Sequence, residues 1–287
     1  MCRFLVYKGR EMLMADLLTS SEQSLIRQSF QARERAEPLN GDGFGVGWYV
    51  PEIDSTPCVF TSTTPAWSNR NLHRLAEKIR STSFFAHVRA ASPGLPVADA
   101  NCHPFQFEEF LWMHNGAIGE FSKIKRRLRE TLSDEYYDLI QGTTDSEHAF
   151  AVFLGELAPR LRDYSVSDLR DAVVATIRRL DAWTAEAGVV TPSRCNFALT
   201  DGRNVVATRY ATSPEVPCET LYYSSGDKFE NVAGRFRMRA AQRRVGAVIV
   251  ASEPLTEERS DWTSIPENHL VMVTPELHVK VEPIDPL

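Results

Sequence analysis

The sequence predicts an α+β fold in which antiparallel sheets are covered by helices. Three features point there. Strand-like runs outnumber helical ones, they cluster like hairpins, and the helical segments are grouped between the clusters. A parallel sheet would instead require a helix after each strand.

In chain order, runs at 2–7, 44–50, 58–61, 84–88, 110–113, 196–200, 205–210, 220–224, 245–251 and 270–273 are rich in aromatic and β-branched residues. Turn chemistry separates several of them. Asn40-Gly41-Asp42-Gly43 precedes the second run, and Asp201-Gly202 follows the sixth. Arg235, Arg237 and Arg239 alternate with Phe236 and Met238, as on a half-exposed strand. Ser20 and Gln23 have the spacing of a capping box that would open a helix through Ser29. Leu72, Leu75, Ala76 and Ile79 form one helical stripe. Phe121, Ile124, Leu128 and Leu132 form another, with Lys123, Lys125, Arg126, Arg127 and Arg129 as its solvated face. Longer helices are expected at 145–157 and 167–187. The stretch 187–194 reads as a connection rather than a domain boundary, because strands on both sides are needed to complete the sheets. One domain spanning 2–287 is therefore expected, with Met1 removed.

The 287 residues are ample for a sizeable core, and the formal charge of −6 gives no electrostatic reason to bind nucleic acid or an anionic membrane. No apolar run approaches the roughly 20 residues that span a bilayer. The first residues do not read as a signal peptide, since Lys8, Arg10 and Glu11 follow a very short apolar stretch. Cysteines stand at 2, 58, 102, 195 and 218, an odd and widely spaced set that argues against a disulfide framework. A reducing cytoplasm is the expected location. Cys58, Cys102, Cys195 and Cys218 are expected as small, mostly buried apolar residues.

Cys2 is the exception. Methionine aminopeptidase chemistry tolerates cysteine as the second residue, and removal of Met1 would leave a thiol and a free α-amine on one residue. That amine has an ordinary pKa of about 8, so it can serve the thiol as a base near neutral pH. Four further segments carry polar chemistry. Phe84 to Ser92 places His87 and Arg89 at alternate positions of a strand, hence on one face; Arg89 suits either a carboxylate ligand or a structural ion pair. Asn101-Cys102-His103-Pro104 offers His103 as base or ligand, but more simply as a hydrogen-bonded structural histidine beside a turn proline. His114-Asn115-Gly116 ends another strand, as an oxyanion hole or as a plain Asn-Gly turn. Thr144-Asp145-Ser146-Glu147 opens a helix; Thr144 or Asp145 is its expected cap, and the carboxylate could instead meet a ligand ammonium.

Together, these motifs in this order resemble the class II glutamine amidotransferases, the N-terminal-cysteine branch of the N-terminal nucleophile hydrolases. The resemblance implies an αββα sandwich of two antiparallel sheets between helical layers. It implies Cys2 as nucleophile, Asn115 and Gly116 as oxyanion hole, Arg89 and Asp145 as anchors for a γ-glutamyl group, and His87, His103 and His114 as residues shaping the substrate pocket. No metal or cofactor is needed by that chemistry. A zinc site built from Cys102, His103, His87 and His114 is the rival reading, though the spacing matches no compact zinc pair.

Nothing after Glu147 resembles a synthase domain, so the likeness is to the stand-alone members. These include the glutathione-degrading amidotransferase-like subunits and the ergothioneine-pathway γ-glutamyl hydrolases. Asn40-Gly41-Asp42-Gly43-Phe44-Gly45-Val46-Gly47, Thr64-Pro65-Ala66-Trp67 and Ala251-Ser252-Glu253-Pro254-Leu255-Thr256 extend it over most of the chain. The implied activity is hydrolysis of a γ-glutamyl amide or peptide bond through a thioester. The alternatives are ammonia supply to a separate synthase and non-catalytic binding. The resemblance also raises a metallopeptidase-like partner subunit, and it leaves the oligomeric state open.

Overall fold

A computed structural model describes residues 2–34, 39–92, 94–160 and 163–285. Its strands are β1 (Arg3–Leu13), β2 (Phe44–Trp48), β3 (Cys58–Ser62), β4 (Arg80–Val88), β5 (Phe105–Phe107), β6 (Phe110–Ala117), β7 (Arg194–Thr200) and β8 (Val205–Arg209). They continue with β9 (Tyr222–Gly226), β10 (Lys228–Val232), β11 (Arg235–Arg239), β12 (Ala247–Ala251), β13 (Thr263–Ser264), β14 (His269–Val273) and β15 (Val279–Pro283). The helices are α1 (Leu25–Gln31), α2 (Arg70–Ala76), α3 (Lys125–Glu130), α4 (Asp134–Leu139), α5 (Asp145–Leu157) and α6 (Val166–Glu186).

One sheet has the order β13-β9-β12-β1-β4-β2-β3 and the other β15-β14-β8-β7-β6-β5, with β10-β11 as a separate ribbon. The pairings are antiparallel in both sheets. Alternation sorts the side chains into three cores. Phe4, Val6, Phe85, Leu111, Met113 and Ala198 lie between the sheets. Leu5, Tyr7, Phe84 and Ala86 face α1, α2 and the ribbon. Phe110, Trp112, Phe197 and Leu199 face α3 to α6. The result is helix, sheet, sheet, helix. Trp112 anchors the last layer, stacked on Phe150 and Phe153 of α5 and tilted against Phe197.

Four details differ from the sequence expectation. The capping box at Ser20 and Gln23 does not form; α1 starts at Leu25, where the Ser24 hydroxyl accepts the Arg27 N–H at 3.4 Å. Ser20 instead ends a π-helical turn, Asp16–Ser20, that the apolar pattern does not distinguish from α-helix. The stripe from Phe121 to Leu132 is broken into a 3-10 turn, Phe121–Lys123, and the short α3, after a left-handed Glu120 (φ 41°). Cys58 is exposed, because it opens the edge strand β3, whereas Cys102, Cys195 and Cys218 are buried. Strands β5, β13 and β15 are short or peripheral, and their sequences carry too few apolar residues to stand out.

The helix start can be checked by denaturant unfolding. Ser24→Ala should cost about 1 kcal/mol through the lost cap, whereas exposed Ser20→Ala should stay within about 0.5 kcal/mol.

Candidate active site

The same alternation that builds the cores gathers the site. Cys2 shares the parity of Phe4 and Val6, so it faces the space between the sheets. On β4, His87 follows Phe85 on the inner face, and Arg89 continues the pattern one step past the strand. On β6, Asn115 follows Leu111 and Met113 inward. Pairing then brings the strand ends together. Phe4 lies opposite His87, the Cys2 thiol donates to the Ala90 carbonyl at 3.6 Å, and His87 Nε2 lies 3.2 Å from the His114 carbonyl across the sheets. Cys2, His87, Arg89 and Asn115 therefore converge at one end of the inter-sheet layer.

Each polar group there is held in an unusual way. Asn115 is fully buried, and neither its carbonyl oxygen nor its amide nitrogen has a partner among the described residues. Leaving an amide dry and unpaired costs about 1–3 kcal/mol, which a ligand oxygen would offset. Asn115 and Gly116 are not a turn; they sit within β6 opposite Asn196 and Cys195 of β7. Gly116 is obligatory. Its φ of 155° and a Cβ position 1.9 Å from the Arg194 carbonyl oxygen exclude any side chain.

The buried Arg89 guanidinium donates only to the carbonyls of Asp42 (3.4 Å) and Pro96 (3.3 Å) and pairs with no carboxylate among the described residues. It is not a structural ion pair. The glycine-rich segment before β2 sits directly against it: Asp42 N–H donates to the Arg89 carbonyl, Arg89 N–H to the Gly43 carbonyl, and Ala91 N–H to the Asp42 carboxylate. Gly45, opposite His87, admits the His103 carbonyl, which would stand 2.1 Å from any Cβ there.

Thr144, not Asp145, caps α5, its hydroxyl accepting the Glu147 N–H at 3.2 Å. Asp145 is thereby left to fasten the helix to the end of β6, accepting the Ile118 N–H at 2.7 Å and its neighbour Ser146 N–H at 2.8 Å. Asn101 connects the two regions. It donates to the same Pro96 carbonyl as Arg89, and its carbonyl accepts the Thr143 N–H at 2.8 Å.

The three histidines have distinct positions. His114 has the parity of Trp112 and points to the helix-covered face, where its ring meets Ser146 Oγ (3.0 Å) and the Arg194 carbonyl (2.9 Å). It stands behind Asn115 rather than beside Cys2. His103 is not hydrogen-bonded as expected: both ring nitrogens lack partners among the described residues. Its ring is instead stacked on His87 at 4.2 Å with Phe105 edge-on at 4.6 Å, so aromatic packing replaces the polar contact. Burial keeps all three neutral. It depresses the His87 pKa to about 3 and that of His103 well below the usual value; for His114 it outweighs the opposing attraction of Asp145. Burial also pushes the Cys102 thiol up to about 11, leaving it inert.

The sequence pattern of the class-II glutamine amidotransferases matches residues 12–281. A probable glutamine amidotransferase of Saccharomyces cerevisiae is 44% identical over 95% of this chain and 82% of its own length. The chain belongs to the class-II glutamine amidotransferases. It is thus an enzyme of the amidotransferase-type hydrolases. A γ-glutamyl-hercynylcysteine sulfoxide hydrolase of Mycobacterium tuberculosis is 25% identical over 96% of this amidotransferase and 93% of its own chain. The solved class-II glutamine aminotransferase domain protein from Silicibacter pomeroyi shares the fold, with a TM-score of 0.67 at 23% identity over 99% of this chain and 100% of that one.

The sequence motifs contain Asp42, Asn101, Ser146 and Glu147, but reading them gave none of these four an individual role in this amidotransferase site. Glu147 collects the N–H groups of Gln141 and Gly142 at 2.9 and 2.7 Å, closing the loop in front of α5. Of these, only Asp42, set between Gly41 and Gly43, carried a local signal, and only the tertiary fold shows which backbone groups the four serve. Among the described residues, no group of three or more His, Cys, Asp or Glu side chains could hold a metal, and no helix is long and apolar enough to cross a membrane.

The buried histidines make a pH prediction. Their folded pKa values lie below the unfolded value of about 6.5, so the unfolded chain binds more protons as pH falls below it. Stability is intact above about pH 6.5 and declines on acidification, for His87 down to about pH 3. Denaturant titrations between pH 7 and 5 should show a shallower decline for His103→Phe than for the parent, by up to about 1.4 kcal/mol per pH unit.

Proposed function

We propose that this amidotransferase hydrolyses a γ-glutamyl amide or peptide bond through a γ-glutamyl thioester on Cys2. The observation that carries the reading is the buried, unpartnered Asn115 amide facing the same inter-sheet space as Cys2. With Met1 removed, the Cys2 sulfur attacks the γ-carbonyl while its α-amine takes the thiol proton and returns it to the leaving amine. The oxyanion is held by the Asn115 side-chain amide and the Gly116 N–H, donors that are aimed before the charge develops. Water then cleaves the thioester, releasing glutamate and restoring the thiol.

Arg89 grips the substrate α-carboxylate, its guanidinium fork being bound only loosely by two carbonyls. Asp145 meets the α-ammonium from the start of α5, and His87 and His103 form an uncharged wall that does not compete for the thiolate. Glutamine and γ-glutamyl peptides share the same γ-carbonyl, and the names of the two relatives cover both. A glutathione-like γ-glutamyl compound is the leading substrate, with free glutamine second. The setting is a reducing cytoplasm, and a metallopeptidase-like subunit is the candidate partner for further breakdown of the product.

A glutamate-release screen over glutamine, glutathione and other γ-glutamyl amides tests the reading. Cys2→Ala should lower turnover by at least about 10³-fold with the fold unchanged. Persistent activity in that variant, or an intact mass retaining Met1 in active protein, would remove the nucleophile. Release of glutamate only when a synthase co-purifies would favour ammonia supply instead. Arg89→Lys should raise KM about ten- to hundred-fold with a smaller change in kcat, as a point charge replaces a fork.

A further inference from the structure

We infer that Arg3 and Glu253 form a positioning pair that fixes the backbone of the nucleophile from behind the sheet. The inference rests on Cys2 acting as nucleophile. Arg3 has the opposite parity to Cys2 and Phe4, so its side chain leaves the strand on the face away from the inter-sheet pocket. It is nonetheless fully buried, which is rare for arginine unless it is paired. Its Nη1 turns back to donate to the Cys2 carbonyl at 3.1 Å, while its Nε donates to Glu253 at 2.9 Å.

Glu253 is equally buried and held from other sides. Its second carboxylate oxygen accepts the Arg33 N–H at 2.8 Å, and its carbonyl takes the Gln28 amide at 3.4 Å. The preceding residue locks the strand as well, since Ser252 Oγ accepts the Phe4 N–H at 3.0 Å and Ser252 N–H donates to the Phe4 carbonyl. Arg3 Nη1 also lies 3.9 Å from the carboxylate of Glu219, in the segment that leads into β9. The Glu219 carbonyl accepts the amide of Asn196, the residue opposite Asn115. One guanidinium therefore joins the carbonyl of the nucleophile residue, through Glu219, to β7, the strand paired with the one that carries the oxyanion donor. A residue just ahead of β1 would otherwise be prone to fray and misdirect its thiol and amine.

The test uses the full-length processed enzyme and its best γ-glutamyl substrate. Glu253→Gln keeps the shape but weakens the hold on Arg3. It should lower kcat at least ten-fold with KM within two-fold, and slow iodoacetamide labelling of the N-terminal peptide, followed by mass spectrometry to separate Cys2 from exposed Cys58. Glu253→Asp should restore part of both rates. Glu257→Gln, which breaks only the exposed pair with Arg33, should change neither. Parent-like kcat and labelling in folded Glu253→Gln, or a rise in KM alone, would overturn the proposal. If Glu253→Gln does not fold, Arg3→Lys is read by the same measures, and failure of both to fold would show a folding element rather than a positioning one. Loss of activity in Cys2→Ala beside a parent-like Glu253→Gln would sink the anchor and spare the nucleophile.

Discussion

The pleat of two antiparallel sheets is the constraint on which this site depends. Successive side chains must point to opposite faces, so a strand that fills the inter-sheet core with Phe4 and Val6 delivers Cys2 to the same layer. The same rule sends His87 after Phe85 and Asn115 after Met113. The apolar core and the polar cluster are one register read along its length. A one-residue slip of any of these strands would turn its polar group and its inter-sheet residues to the helix-covered face.

That arrangement puts hydrogen-bonding groups where little water reaches them, and the chain copes in two ways. Some groups are saturated: Asn101, Glu147 and Glu253 each accept backbone N–H groups from segments distant in sequence or in neighbouring loops. Others are left short of partners. Asn115, His87 and His103 have buried polar atoms with no hydrogen-bond partner among the described residues. The division is informative, because saturated groups fix geometry while unsaturated ones retain capacity for a guest. Keeping the histidines uncharged avoids a like-charge penalty beside Arg89, whose cation is itself one of the causes lowering them.

Much of the fold was legible in the residues. Ten of the strands announced themselves through β-branched and aromatic runs, and α5 and α6 through their apolar periodicity. The site motifs could be picked out because each joins a strand or helix end to unusual polar chemistry. What remained hidden was contextual. Whether Asn115-Gly116 is a turn or the middle of a strand depends on β7, which lies some 80 positions away. Ser24 rather than Ser20 caps α1 because the π-helical turn delays the helix, and local spacing does not encode that choice. The outward orientation of His114 follows from strand parity, yet parity cannot be assigned until the core-facing side is known. Nothing in the sequence singles out Arg3; only its burial against Glu253 gives it significance.

Gly45 and Gly116 carry a consequence for how this enzyme can change. At both positions the space a methyl group would occupy already belongs to a carbonyl oxygen of another segment. Saturation libraries at these two codons should return the parent residue almost alone, whatever activity is selected. New substrate range has to come from exposed positions such as Val97, Asp99 and Ala100, whose side chains are not wedged between sheets.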